Sequence, residues 1–124
     1  MLVMEEAPTG APQKRTSLGL DENIEGLLAY LLGFVTGIIL LLLEKESDFV
    51  RFHAMQSTII FLPLWIAIKI FSYIPILGWI IADLLGLIGL VVWIVGMVKA
   101  YQGERYKFPI AGDLAEQWLG KVNV

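Results

Sequence analysis

A cation, an imidazole and a carboxamide stand close together in Arg51-Phe52-His53-Ala54-Met55-Gln56, interleaved with aromatic residues. A second polar stretch, Gly103-Glu104-Arg105-Tyr106-Lys107-Phe108-Pro109, supplies a carboxylate and a phenol. Two isolated charges, Lys69 and Asp83, interrupt otherwise apolar sequence. His53 with Glu104 has the residue types for acid–base work. A metal centre or thiolate chemistry is not expected, because His53 is the only histidine and there is no cysteine. No nucleophile elbow, phosphate-binding loop or metal-ligand spacing accompanies these groups, so the chain is not read as an enzyme and no cofactor is expected.

The elements that carry these residues are apolar to an extent unusual for a water-soluble domain. Apolar residues make up 57% of the 124-residue chain, charged residues 17%, and the mean hydropathy is +0.74. Soluble domains run at roughly 45–50% apolar and about 25% charged. The charges are also segregated: 26–43, 54–68 and 70–98 carry almost none, the last broken only by Asp83. Lipid is the solvent that suits such segments. The expected fold class is all-α, an integral membrane protein with three transmembrane helices, three being favoured over four.

The spans fall at about 24–43, 54–73 and 79–100, within a transmembrane domain of residues 21–104. A helix of twenty residues rises ~30 Å, the thickness of the hydrocarbon core. Asp21 or Asn23 can cap the first helix, Ser47 or Asp48 the second, and Pro63 is expected to kink the latter. Ile74-Pro75-Ile76-Leu77-Gly78 reads as a tight turn in which Gly78 is the permissive residue, making helices two and three an antiparallel hairpin. Residues 1–20 read as a flexible tail without the apolar core of a signal peptide. Residues 105–124 read as a polar tail with a short interfacial helix from Asp113, where Leu114, Ala115, Trp118 and Leu119 share a face.

Lysine and arginine placement puts the 44–53 loop and the C-terminal flank on the cytoplasmic side of a cell membrane, with the N-terminus outside. A net charge of −3 gives no basis for nucleic-acid binding. Ala82, Gly86, Gly89, Gly96, Ala100 and Gly103 recur at steps of three, four and seven, a small-residue seam suited to packing within the chain or against a second copy. Gly33 and Gly37 form a second small pair. Lys69 and Asp83 are each seven residues from Ile76 and are expected to pair across the hairpin. Arg51, His53, Gln56, Glu104 and Tyr106 are expected to meet in one polar cluster where the ends of helices two and three come together.

The stretch F-V-R-F-H-A-M-Q-S, after an apolar helix and a short charged loop, resembles a hallmark of small prokaryotic membrane proteins related to the twenty-kilodalton subunit of the chloroplast inner-envelope (Tic) import translocon. K-A-Y-Q-G-E-R-Y-K-F-P resembles the same family's ending. Phe52, His53, Ala54 and Gln56 match the first motif, and Gly103, Glu104, Tyr106 and Pro109 the second. The resemblance covers about residues 20–115 and implies a fold more than an activity. The function expected is a scaffold or translocation-related component assembling with itself or with other membrane proteins; an oligomeric transporter or channel is the alternative.

Overall fold

The computed structural model describes residues 16–121. Five helices follow one another: α1 (Glu22–Leu31), α2 (Phe34–Leu43), α3 (Asp48–Ser72), α4 (Leu77–Tyr101) and α5 (Ala111–Lys121). The two long helices of 25 residues each are apolar enough to cross a membrane, and each rises about 37 Å. Of the flexible tail expected at 1–20, residues 1–15 lie outside the described residues, whereas 16–20 form a turn in which the Thr16 N–H donates to the Leu20 carbonyl at 3.0 Å.

The single first span expected over 24–43 does not form. The chain breaks at Leu32-Gly33, where Gly33 has φ 63 and ψ −131, a backbone region that glycine alone enters cheaply. α1 and α2 then run antiparallel. A Cβ at Gly26 would meet Phe49 and Ala100, and Tyr30 lies against Gly96, so α1 runs parallel to α3 and antiparallel to α4. Phe34 packs on Trp65, Gly37 on Ala54 and Thr58, and Leu41 faces Arg51, so α2 runs back down α3. Each arm has 10 residues, a rise of about 15 Å, or half the hydrocarbon thickness.

A helix broken among apolar surroundings exposes backbone groups that need partners within the chain. Here side chains satisfy them. Trp93 Nε1 donates to the Leu31 carbonyl at 3.1 Å, and Ser57 Oγ to the Gly33 carbonyl at 3.0 Å. Thr36 Oγ1 donates toward the Ala29 carbonyl at 3.3 Å and accepts from the Leu32 N–H at 3.2 Å. A hydropathy profile registers none of these partners, which is why the break reads as continuous helix.

Other expectations are revised by packing. The left-handed residue of the α3–α4 turn is Ile76 (φ 61), not Gly78. Gly78 belongs to α4, and a Cβ there would fall 2.2 Å from the Phe71 carbonyl oxygen, so close approach is what excludes a side chain. Lys69 and Asp83 are both exposed and do not pair with each other; Lys69 Nζ lies over the Trp65 ring, 5.7 Å from its centre. Among the small residues of α4, Gly89 receives Leu64 of α3 and Gly96 receives Tyr30, whereas a Cβ at Gly86 would meet nothing within 4 Å. Gly103 ends α4 at φ 80, with the Glu104 N–H bonded to the Lys99 carbonyl. Asp113 sits inside the first turn of α5, two residues past its start; Ala115 is buried, while Trp118 is exposed.

Candidate functional site

The N-terminal third of α3 is buried on all sides, from Val50 to Ser57. Ser47 begins the helix, its Oγ accepting the Val50 N–H at 3.2 Å. One turn on, His53 and Gln56 point between α1 and the extended segment that links α4 to α5. His53 Nε2 bonds the Glu104 carbonyl oxygen at 2.9 Å. A carbonyl only accepts, so Nε2 carries the proton and Nδ1 is the acceptor of the Tyr30 hydroxyl at 2.8 Å. Gln56 Nε2 donates to Tyr30 Oη at 2.8 Å and to the Tyr106 carbonyl at 3.0 Å, while its Oε1 accepts the Phe108 N–H at 2.9 Å. The three side chains fix one another's tautomer and orientation. Both nitrogens of His53 are engaged by partners within the chain.

The expected polar residues thus divide. His53 and Gln56 meet the 104–108 segment, through the backbone of Glu104, Tyr106 and Phe108 rather than through side chains. Arg51 turns the other way: one guanidinium nitrogen donates to the carbonyls of Leu41 and Glu44 at 2.9 and 2.7 Å, closing the C-terminal end of α2. Phe52 is fully buried and carries Arg105 on its ring at 4.2 Å. Arg105 pairs with Asp48 at 2.8 Å, Lys99 with Glu104 at 3.2 Å, and Lys107 with Asp113 and Glu116 at 2.9 and 3.1 Å. Exposed pairs of this kind contribute about 0–1 kcal/mol each; the buried hydrogen bonds hold the segment. Gly103 frees the chain from α4, and Pro109 precedes the turn into α5. Lys69 and Asp83 stand at the far end of the bundle, away from this cluster.

Sequence reasoning missed Tyr30, the hub of the cluster, and a second buried group beside it. Glu25 and Glu44 are both fully buried, where the two arms of the α1–α2 hairpin end. Glu44 accepts the N–H groups of Ser17, Glu46 and Ser47 at 3.0, 3.0 and 2.8 Å. Glu25 accepts from Thr16 Oγ1, and its Oε2 finds no partner unless it carries a proton toward Glu44. Neither residue lies in α3 or α4. Burial, then the hydrogen bond to Glu44, pushes Glu25 up to about 7. Burial also opposes ionisation of Glu44, but hydrogen bonds from Glu25 and from three backbone N–H groups outweigh it and bring Glu44 down to about 2.

A pH dependence follows. Between the ordinary carboxylate value of about 4.5 and 7, the folded chain holds a proton at Glu25 that the unfolded chain has released. Stability therefore falls as pH rises through that window, and the Glu44 contribution is lost as pH falls from about 4.5 through 2. Glu25→Gln keeps a donor and removes the titration. Its thermal midpoint should be flat between pH 5 and 8, where the parent loses several degrees; an equally steep decline in both would refute the assignment.

The protein family named for magnetosome magnetite crystal formation matches residues 20–115, from the start of the hairpin into α5. The chain belongs to this family. A UPF0132 membrane protein of Methanocaldococcus jannaschii is 57% identical over 102 residues, 82% of this chain and 73% of the relative. A second from that organism is 55% identical over 104 residues, 84% and 94% of the two chains. The magnetosome protein MmsF of Paramagnetospirillum magneticum is 28% identical over 104 residues, 83% and 94%. No solved structure matches. The two UPF0132 relatives are named as membrane proteins, in keeping with α3 and α4. The chloroplast-import relationship suggested by the motifs gains no support from them. The two motifs themselves have a physical link: side chains of the first hold the backbone of the second.

Proposed function

We propose that this family member is a membrane-embedded scaffold that assembles with itself or with other membrane proteins and holds a fixed polar cap at the cytoplasmic face. In this reading α3 and α4 are the two spans, and α1–α2 is a re-entrant hairpin. Ser17 bonds Glu44, Lys45 and Glu46, so the described N-terminal residues share a side with the start of α3 and with α5. Among the described residues, Lys45, Arg51, Lys99, Arg105, Lys107 and Lys121 lie at that end and Lys69 at the other. This asymmetry favours a cytoplasmic cap and, against the N-out expectation, a cytoplasmic N-terminal flank.

The observation that carries the scaffold reading is the internal use of the buried polar groups. Tyr30, His53, Gln56 and Ser57 are committed to hydrogen bonds within the chain. A transporter or channel needs polar groups open to a path, and would have to recruit Asp83 or Lys69 from several copies. A translocation-related role rests on the motif resemblance alone. From the relatives named as membrane proteins the proposal takes only the membrane setting.

Extraction from native membranes in mild detergent, with mass measurement and identification of co-purifying proteins, tests the proposal. A complex of fixed stoichiometry is expected. A lone chain at every detergent concentration would overturn it.

A further inference from the structure

The re-entrant hairpin covers α3 and α4 only to mid-depth. Above its tip an apolar groove of about 400 Å³ remains, within the size range of small-ligand sites. Its floor is the hairpin turn at Leu32-Gly33; its walls are Trp65 and Ile68 of α3 and Gly86 and Leu90 of α4. Toward the far end of the bundle, Lys69 follows Trp65 by one turn and Asp83 precedes Gly86 by one turn, so each wall carries one charge. Neither has an ion-pair partner among the described residues, and an unpaired charge at the edge of lipid is costly.

We propose that this groove binds one phospholipid of the non-cytoplasmic leaflet, an acyl chain lying against the hairpin tip and a zwitterionic headgroup meeting both wall charges. Three features favour this occupant over a second copy of the chain. The floor lies about 15 Å from the polar end of the hairpin, near the bilayer midplane, so the groove is one leaflet deep. Its lining is almost wholly apolar. Its two charges have opposite sign, matching a phosphate for Lys69 and an ammonium for Asp83. The space beside Gly86 is where the chain would lie.

The site depends on the re-entrant topology but not on the scaffold role, and its test reads lipid retention rather than assembly. The full chain is reconstituted in vesicles of equal phosphatidylethanolamine and phosphatidylglycerol, extracted gently and weighed by native mass spectrometry. One retained phosphatidylethanolamine per chain is expected. Gly86→Leu, whose side chain enters open space, should lose it with helicity unchanged. Asp83→Asn should lower the preference for phosphatidylethanolamine over phosphatidylglycerol roughly fivefold, whereas Lys69→Gln, which removes the partner of a phosphate common to both, should weaken retention of both lipids. Should Gly86→Leu misfold, a chain that keeps only the two groove tryptophans, Trp65 and Trp93 (W79F, W118F), should be quenched more by brominated phosphatidylethanolamine than by brominated phosphatidylglycerol. Equal retention of both lipids, retention unaffected by Gly86→Leu in a folded chain, a dimer in place of a lipid adduct, or equal quenching would each overturn the site.

Discussion

Gln56→Leu should destabilise the protein by roughly 3–5 kcal/mol and release the segment between α4 and α5. The leucine fills nearly the same volume but offers no hydrogen bond. It leaves the Phe108 N–H, the Tyr106 carbonyl and one acceptor position of Tyr30 without the partners they have at 2.9, 3.0 and 2.8 Å. An unsatisfied buried polar group costs about 1–3 kcal/mol, and water reaching the edge of the segment recovers part of that. Trypsin should then cut faster at Arg105 and Lys107, and denaturation in detergent should begin earlier. Gln56→Glu retains the acceptor for Phe108 and should fall between the two. Unchanged proteolysis in Gln56→Leu would mean that the exposed ion pairs, not this side chain, fix the cap.

Gly37→Leu is expected to be nearly as harmful, by a different route. A Cβ at Gly37 would stand 2.7 Å from Thr58 Oγ1 and 2.9 Å from the Ala54 carbonyl oxygen, an α3 backbone atom that cannot rotate away. The leucine must push α2 from α3, at a cost of roughly 2–4 kcal/mol. That motion also pulls Arg51 from the carbonyls it caps at Leu41 and Glu44. Gly86→Leu adds the same side chain where nothing lies within 4 Å, so it should be close to neutral for folding. The difference in thermal midpoint between these two variants measures the contact itself, because helix propensity changes equally in both.

Much of this architecture can be read from residue order, and the failures share a cause. The α3–α4 pair follows from two long apolar runs separated by Ile-Pro-Ile, and Ser47 announces the start of α3. The meeting of the two polar stretches follows from antiparallel packing. The hairpin does not follow, because 24–43 has the length and hydropathy of a span. What breaks it is one dihedral angle at Gly33 together with donors from Thr36, Ser57 and Trp93, two of them on other helices. In the sequence Tyr30 is one aromatic among many apolar residues; only its position beside Gly96 and His53 makes it a hub. Lys69 and Asp83 were matched in depth along the chain, but equal depth does not fix rotation about the helix axis, and their side chains do not meet.

The proposed return of α1–α2 inside the membrane is tested most directly by cysteine accessibility, in a chain that has no native cysteine. Leu18, Lys45 and Tyr73 are exposed positions before the hairpin, after it and at the far turn. Each is replaced singly by cysteine and labelled in sealed, oriented membrane vesicles with an impermeant maleimide. The re-entrant hairpin predicts that Leu18→Cys and Lys45→Cys label from the same, cytoplasmic side and Tyr73→Cys from the opposite one. Labelling of Leu18→Cys and Lys45→Cys from opposite sides would show that 24–43 crosses the bilayer, and would contradict the account.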